Sequence, residues 1–159
     1  MHSIDLLDNL PVHERILVTS DARTEFIALP SGVRMLVNHF PENGQSKSIH
    51  IGIESATGTH YLFLTADQPG LKLEDLMPLL EAAESNADKI VFPVIDGKPS
   101  SPALFPRRFR SELLNLSGDA GGRIVRDANP EMCFVIEPEN PKNFMDIDNV
   151  EDYDDFISC

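Results

Sequence analysis

From Arg15 to Ile136 the chain repeats one alternation, and few folds accommodate it. Short apolar runs rich in β-branched residues are separated by stretches whose apolar residues recur at helical spacing. Arg15–Thr19, Val33–Val37, Tyr61–Thr65, Ile90–Ile95 and Met132–Ile136 read as strands. Ile49, Gly52, Ile53 and Ala56 share one helical stripe, and Leu73, Leu76, Met77, Leu80 and Ala83 share another. Strands alternating with helices predict an α/β domain with a mostly parallel sheet. Ser20 and Asp21 offer N-capping side chains for a short helix through Ile27, and Phe109–Leu116 reads as helical. Ile4–Leu7 reads as the end of a helix, Ser101–Phe105 as extended, and Asn149 as the cap of a last helix carrying Val150, Tyr153 and Ile157. Pro78 is expected to kink its helix or to confine it to the later turns.

A length of 159 residues with 42% hydrophobic content suits one globular domain. No apolar stretch reaches the roughly 18 residues that a membrane crossing needs, and the first residues lack the basic start and apolar run of a secretory signal. Cys133 and Cys159 form no Cys-x-x-Cys pair, so buried or free thiols in a reducing cytoplasm are expected. A net charge of −13 argues against general binding to nucleic acid, whose phosphates repel an acidic surface.

Chemistry is expected at the ends of the strands. Ligands of open α/β sheets collect outside the carboxyl ends of the strands, and Asp67 sits there, after Tyr61–Thr65 and before the turn-forming Gln68-Pro69. Such a residue serves as a turn former, as an N-cap or as a ligand of a metal-bound phosphate. Asp146 and Asp148 flank Ile147 in an alternating pattern that aims both carboxylates to one side of a strand, where Asp148 would close on the same ion. The loop from Asn38 through Gly44 to Ser46 and Ser48 lies between a strand and a helix. It offers an amide, a flexible glycine, hydroxyls and a helix start to a base, ribose or phosphate, and equally reads as an ordinary capped loop. Downstream, Gly118-Asp119-Ala120-Gly121-Gly122-Arg123 carries an acid and an arginine, suited to clamping an anion or to a surface ion pair with Asp119 or Asp127. The five histidines are scattered without zinc spacing, and no serine or cysteine sits in a nucleophile motif.

In order, Asn38 through Ser48, Leu64-Thr65-Ala66-Asp67-Gln68-Pro69, Gly118–Arg123 and Asp146–Tyr153 resemble the molybdenum-cofactor nucleotidyltransferases, a MobA-like NTP transferase family, and among them the cytidylyltransferase branch. The likeness runs from Ile4 onward. It implies a Rossmann-like nucleotide-diphospho-sugar transferase fold of three layers, and Mg²⁺-dependent transfer of CMP from CTP to molybdopterin with release of pyrophosphate. The CTP preference over GTP rests on branch resemblance. Asp67 and Asp148 would be the metal ligands, and Asn38, Gly44, Ser46, Ser48 and Asp67 would hold the nucleotide. Ser101, Pro102, Asp119, Gly121 and Arg123 would face the acceptor. Positioning and charge neutralisation carry such chemistry, so no covalent nucleophile is expected. Family members place His-Pro where this chain has Ser101-Pro102, and Gly-Ala-Arg where it has Gly121-Gly122-Arg123.

The resemblance also implies a first strand and a glycine-rich triphosphate loop ahead of Ile4, both missing from this sequence, which is therefore expected to be a single N-terminally truncated domain. That strand would lie between the strands ending at Thr19 and Thr65, leaving both with unpaired ladder groups. The alternative expectation is a non-catalytic nucleotide- or pterin-binding module completed by dimerisation or by a strand-donating partner. Sugar-nucleotide synthesis shares the fold and the metal site, but fits Asp67-Gln68-Pro69 less well.

Overall fold

The computed structural model describes residues 2–20 and 29–147, with the backbone alone for residues 2–5. The expected helix through Ile27, the expected helix after Asn149 and the carboxylate of Asp148 lie outside the described residues. In chain order the elements are α1 (His2–Asn9), β1 (Arg15–Thr19), β2 (Val33–Val37), α2 (Gln45–Ser55), β3 (His60–Phe63), α3 (Leu73–Ser85), β4 (Ile90–Ile95), β5 (Lys98–Pro99), β6 (Ala103–Pro106), α4 (Arg110–Leu114), α5 (Arg123–Ala128) and β7 (Cys133–Ile136).

The strands form two sheets. β1 and β2 pair in parallel, and a second sheet has the order β3-β6-β4-β5, with β7 also on β4. β4–β7 is parallel, whereas β3–β6, β4–β6 and β4–β5 are antiparallel. The expected mostly parallel sheet is therefore corrected to a mixed one. The physical reason is the turn at Asp96 (φ 50°) and Gly97 (φ 76°), which reverses the chain after β4 and returns it as β6 between β3 and β4. β1 and β3, the strands expected to flank a further strand, share no ladder, and each keeps one unpaired edge among the described residues.

Side chains alternate across the larger sheet and build a core on each face. Leu62, Val91 and Leu104 face α1 and α3 and join Leu6, Leu10, Leu76, Leu79 and Phe144. Tyr61, Ile90, Phe92 and Phe105 face the other way and join Ile53 of α2, Leu113 of α4 and Val125 of α5. The smaller sheet leans on α2, where a Cβ at Gly52 would lie 3.7 Å from Val18.

Pro78 does not break α3, which runs unbroken from Leu73 to Ser85. A proline inside a helix costs about 3 kcal/mol. Full burial of Leu76 and Leu79 on the opposite face returns about 1.5–3 kcal/mol each, enough to offset it. The first turn is also closed, because the Lys72 amide donates to Asp75 Oδ2 at 2.9 Å and Asn143 Nδ2 donates to the same oxygen at 2.9 Å.

Glu14 ties the smaller sheet to the rest of the molecule. Its Oε1 accepts from the Thr57 amide, the Thr57 hydroxyl and the Gly58 amide, and its Oε2 accepts from Arg34 at 3.3 Å. The Thr57 amide holds the carboxyl below its usual range against the opposing effect of burial, with the Thr57 hydroxyl, Gly58 and Arg34 adding to it. A depressed folded value means that this stabilisation is present above the unfolded glutamate value, about 4.3, and is lost as pH falls through the lower folded one. Glu14→Gln is thus expected to lower stability at neutral pH, with the difference from wild type closing below about pH 4. Urea unfolding of both proteins across that range checks it, and a difference independent of pH would refute it.

Candidate functional site

The site begins where β3 ends. Beyond Phe63 the chain leaves the ladder and turns at Ala66 and Asp67. Gln68 then plunges into the interior at 2% exposure. Its Nε2 donates to the Phe144 carbonyl at 2.9 Å and to the Ser101 carbonyl at 3.2 Å. The Asp67 carbonyl accepts the Ile147 amide at 2.8 Å. One turn thus gathers the segment before β6 and the segment leading into Asp148.

Three polar atoms at this turn are buried and find no hydrogen-bond partner among the described residues: Thr65 Oγ1, Asp67 Oδ1 and Gln68 Oε1. A buried oxygen without a donor costs about 1–3 kcal/mol, and more where it is charged. A hard divalent cation prefers oxygen donors, so the carboxylate of Asp67 fits Mg²⁺ or Mn²⁺. Among the described residues, no group of three or more His, Cys, Asp or Glu side chains gathers to hold a metal by itself. A cation at Asp67 would therefore draw its other ligands from beyond these side chains, bound phosphate and water included.

The second expected motif is folded in a way that sequence does not reveal. Asn38, 1% exposed, spends its amide inside the protein. Its Oδ1 accepts from the Phe40 amide at 3.0 Å, and its Nδ2 donates to Ser48 Oγ at 3.1 Å. The start of α2 is likewise engaged, since Ser46 N donates to the Gly118 carbonyl at 3.0 Å. The Asn38–Ser48 loop and the Gly118–Arg123 loop are therefore docked on each other. Gly44 makes this contact possible at φ 82°, with a would-be Cβ overlapping the Gly118 carbonyl group. A Cβ at Gly121 would meet Gln45 Oε1 at 2.7 Å, and one at Gly122 would meet the Phe105 ring at 3.0 Å.

The expected acceptor-side residues divide. Ser101 meets Gln68 through its carbonyl, and Pro102 is fully buried beside it. Gly121 is buried, while Asp119 and Arg123 are exposed. Arg123 forms no ion pair among the described residues. It is Arg126 that pairs with Asp127 at 2.8 Å and lies over Phe92 at 4.9 Å. Burial pushes the Cys133 thiol up, and its Sγ donates toward the Asn129 and Arg126 carbonyls, which marks it as a packing group. Sequence reasoning gives Gln68 only a turn-fixing role. Its position beside Asp67 was visible, but no periodicity shows that a turn glutamine is buried.

A MobA-like NTP transferase domain model matches residues 1–132. The chain belongs to that family. Solved structures agree on the α/β nucleotidyltransferase-like fold. Rv0371c of Mycobacterium tuberculosis H37Rv, in complex with manganese, superposes with a TM-score of 0.77 at 16% identity, covering 99% of this chain and 85% of that one. A nucleotidyl transferase of Methanothermobacter thermautotroptrophicus, Mth528, gives 0.73 at 18% identity over 99% and 79% of the two chains. The 4-diphosphocytidyl-2C-methyl-D-erythritol synthase of Anaerococcus prevotii gives 0.75 at 14% identity over 97% and 82%. No curated protein matches the chain significantly. In this MobA-like chain Asp67 stands in the turn that follows the carboxyl end of β3, on the side of the sheet from which ligands are bound in open α/β folds.

Proposed function

We propose that this MobA-like domain transfers a nucleotidyl group from an NTP, CTP in preference to GTP, to the terminal phosphate of a molybdopterin-type acceptor. The observation that carries the proposal is the orphaned, buried Oδ1 of Asp67 at the end of β3 in a chain of the NTP transferase family. Asp67, with Asp148 as second carboxylate, would hold Mg²⁺. When bound, the cation neutralises phosphate charge and favours release of pyrophosphate. Asp67 orients the nucleotide's phosphates, while Gly44, Ser46 and Ser48 shape the nucleotide side through the docked loops. Ser101, Pro102, Asp119, Gly121 and Arg123 form the acceptor side, with the exposed guanidinium of Arg123 available to an anionic acceptor. The whole chain is read as a single domain, acting in the cytoplasm, where the unbridged thiol of Cys133 is stable. No helix among the described residues is long and apolar enough to cross a membrane.

The test is pyrophosphate release with Mg²⁺, molybdopterin and either CTP or GTP, alongside calorimetric titration of each nucleotide. Release with CTP exceeding that with GTP supports the proposal. Absence of release together with absence of nucleotide binding overturns it.

A second reading starts from the lack of a ladder joining β1 to β3 among the described residues. An added strand between them, from a second copy or another protein, would satisfy both ladders, and the chain would then serve as a nucleotide- or pterin-binding module without turnover. Light scattering coupled to size exclusion tests it: a monomer that binds nucleotide counts against strand donation by a second copy.

A further inference from the structure

We propose that Gln68 is a positioning residue for Asp67, holding the chain that leads into Asp148 against the metal-binding turn through its side-chain amide. The proposal rests on the reading of Asp67 as a metal ligand and adds to it the residue that assembles the site. Two carbonyl oxygens, of Ser101 and Phe144, lie at 3.2 and 2.9 Å from one terminal atom of the Gln68 side chain. Carbonyls only accept, so that atom must be the NH₂ group and both of its hydrogens are committed. The amide orientation is therefore fixed by chemistry, and Oε1 is left buried without a donor among the described residues. A glutamine that is 2% exposed and forfeits its acceptor is an expensive way to fill space. An aliphatic side chain would fill the same volume without that cost.

What the amide does is join three segments far apart in sequence. It links the turn after β3 to the segment entering β6 and to the chain at Phe144. Three residues later the Ile147 amide returns to the Asp67 carbonyl at 2.8 Å. Phe144 is itself buried in the core between the sheet and α3, so Gln68 registers the acidic segment on a rigid support. Asn143 completes the anchoring through Asp75, on the other side of Phe144. The side chain of residue 68 thus governs where the backbone stands immediately before Asp148. Outer partners of this kind orient the groups that touch a cation.

Two variants and two readouts test this. Gln68→Met keeps the length and removes both donors. Gln68→Glu keeps the shape but sets a carboxylate against two carbonyls until acid protonates it and restores one donor. Hydrogen exchange at the Ile147 amide is expected to rise at least about tenfold in Gln68→Met, with the amides of β4 unchanged. Mn²⁺ affinity, followed by electron paramagnetic resonance, is expected to fall by about ten- to a hundredfold. Gln68→Glu is expected to regain protection at Ile147, relative to the intrinsic rate, as pH is lowered, whereas Gln68→Met is not. If Ile147 exchanges as in wild type in both variants, the proposal is overturned. It is also overturned if exchange rises while Mn²⁺ affinity stays, because the amide would then be a packing element only. Asp67→Asn serves as the control: if it and wild type bind Mn²⁺ equally weakly, the metal reading of Asp67 fails, and the Ile147 exchange alone decides the role of Gln68.

Discussion

Gly44→Ala is expected to cost the protein more than about 3 kcal/mol, a large loss for the addition of one methyl group. Two effects combine at this position. The backbone sits at φ 82° and ψ −178°, a region that residues with a Cβ essentially do not occupy. The added Cβ would overlap the carbonyl carbon and oxygen of Gly118 and lie 2.7 Å from the Asp119 amide nitrogen. These are backbone atoms, so no side-chain rotation relieves the overlap. Either α2 shifts as a body or the two loops separate, and separation removes the bond from Ser46 N to the Gly118 carbonyl. Gly118→Ala is the matched comparison. Its φ of 60° also favours glycine, but nothing lies within 4 Å of the new Cβ, so the loss should be about 1 kcal/mol. Equilibrium urea unfolding of both variants measures the difference. Equal losses would show that conformation alone, and not the docking of the two loops, accounts for the glycine at position 44.

Asp67→Asn is expected to have the opposite effect on stability and the greatest effect on function. One carboxylate oxygen is buried and lacks a donor among the described residues, so replacing the charged group by a neutral amide of the same shape is expected to remove no stabilising contact. The variant should unfold at a temperature equal to or about 2–4 °C above that of wild type in the absence of metal. Added Mn²⁺ should raise the wild-type transition and leave the variant unmoved, since a ligand stabilises only the state that binds it. Nucleotidyl transfer should fall at least about a hundredfold, the scale on which loss of one charge-stabilising group acts. Differential scanning calorimetry with and without Mn²⁺, beside a pyrophosphate assay, reads both effects. A variant less stable than wild type and still stabilised by Mn²⁺ would remove Asp67 from the metal site.

The two residues differ in how readable they were. Asp67 stands out because local pattern places it: an apolar β run, a carboxylate and then Gln68-Pro69 mark the end of a strand, and strand ends are where α/β sheets bind. Gly44 could be recognised as a loop glycine, but its partner Gly118 lies far along the chain. Asn38 shows the same division. Its place after β2 was legible, whereas the commitment of its amide to Phe40 and Ser48 depends on a loop path that residue types do not encode. Pro78 shows propensity yielding to packing, because the local penalty is smaller than the burial of the leucines on the opposite face.

Periodicity, a local property, was enough to place β1 to β4, β7 and the helices α2, α3 and α4, and short motifs were enough for the family and the carboxylate after β3. Folding in three dimensions added the antiparallel insertion of β6, the docking of Gly44 on Gly118, the Glu14 tie between the sheets and the burial of Gln68. Each of these joins residues distant in sequence. Their energies come from desolvation and close contact, which exist only once the chain has closed on itself.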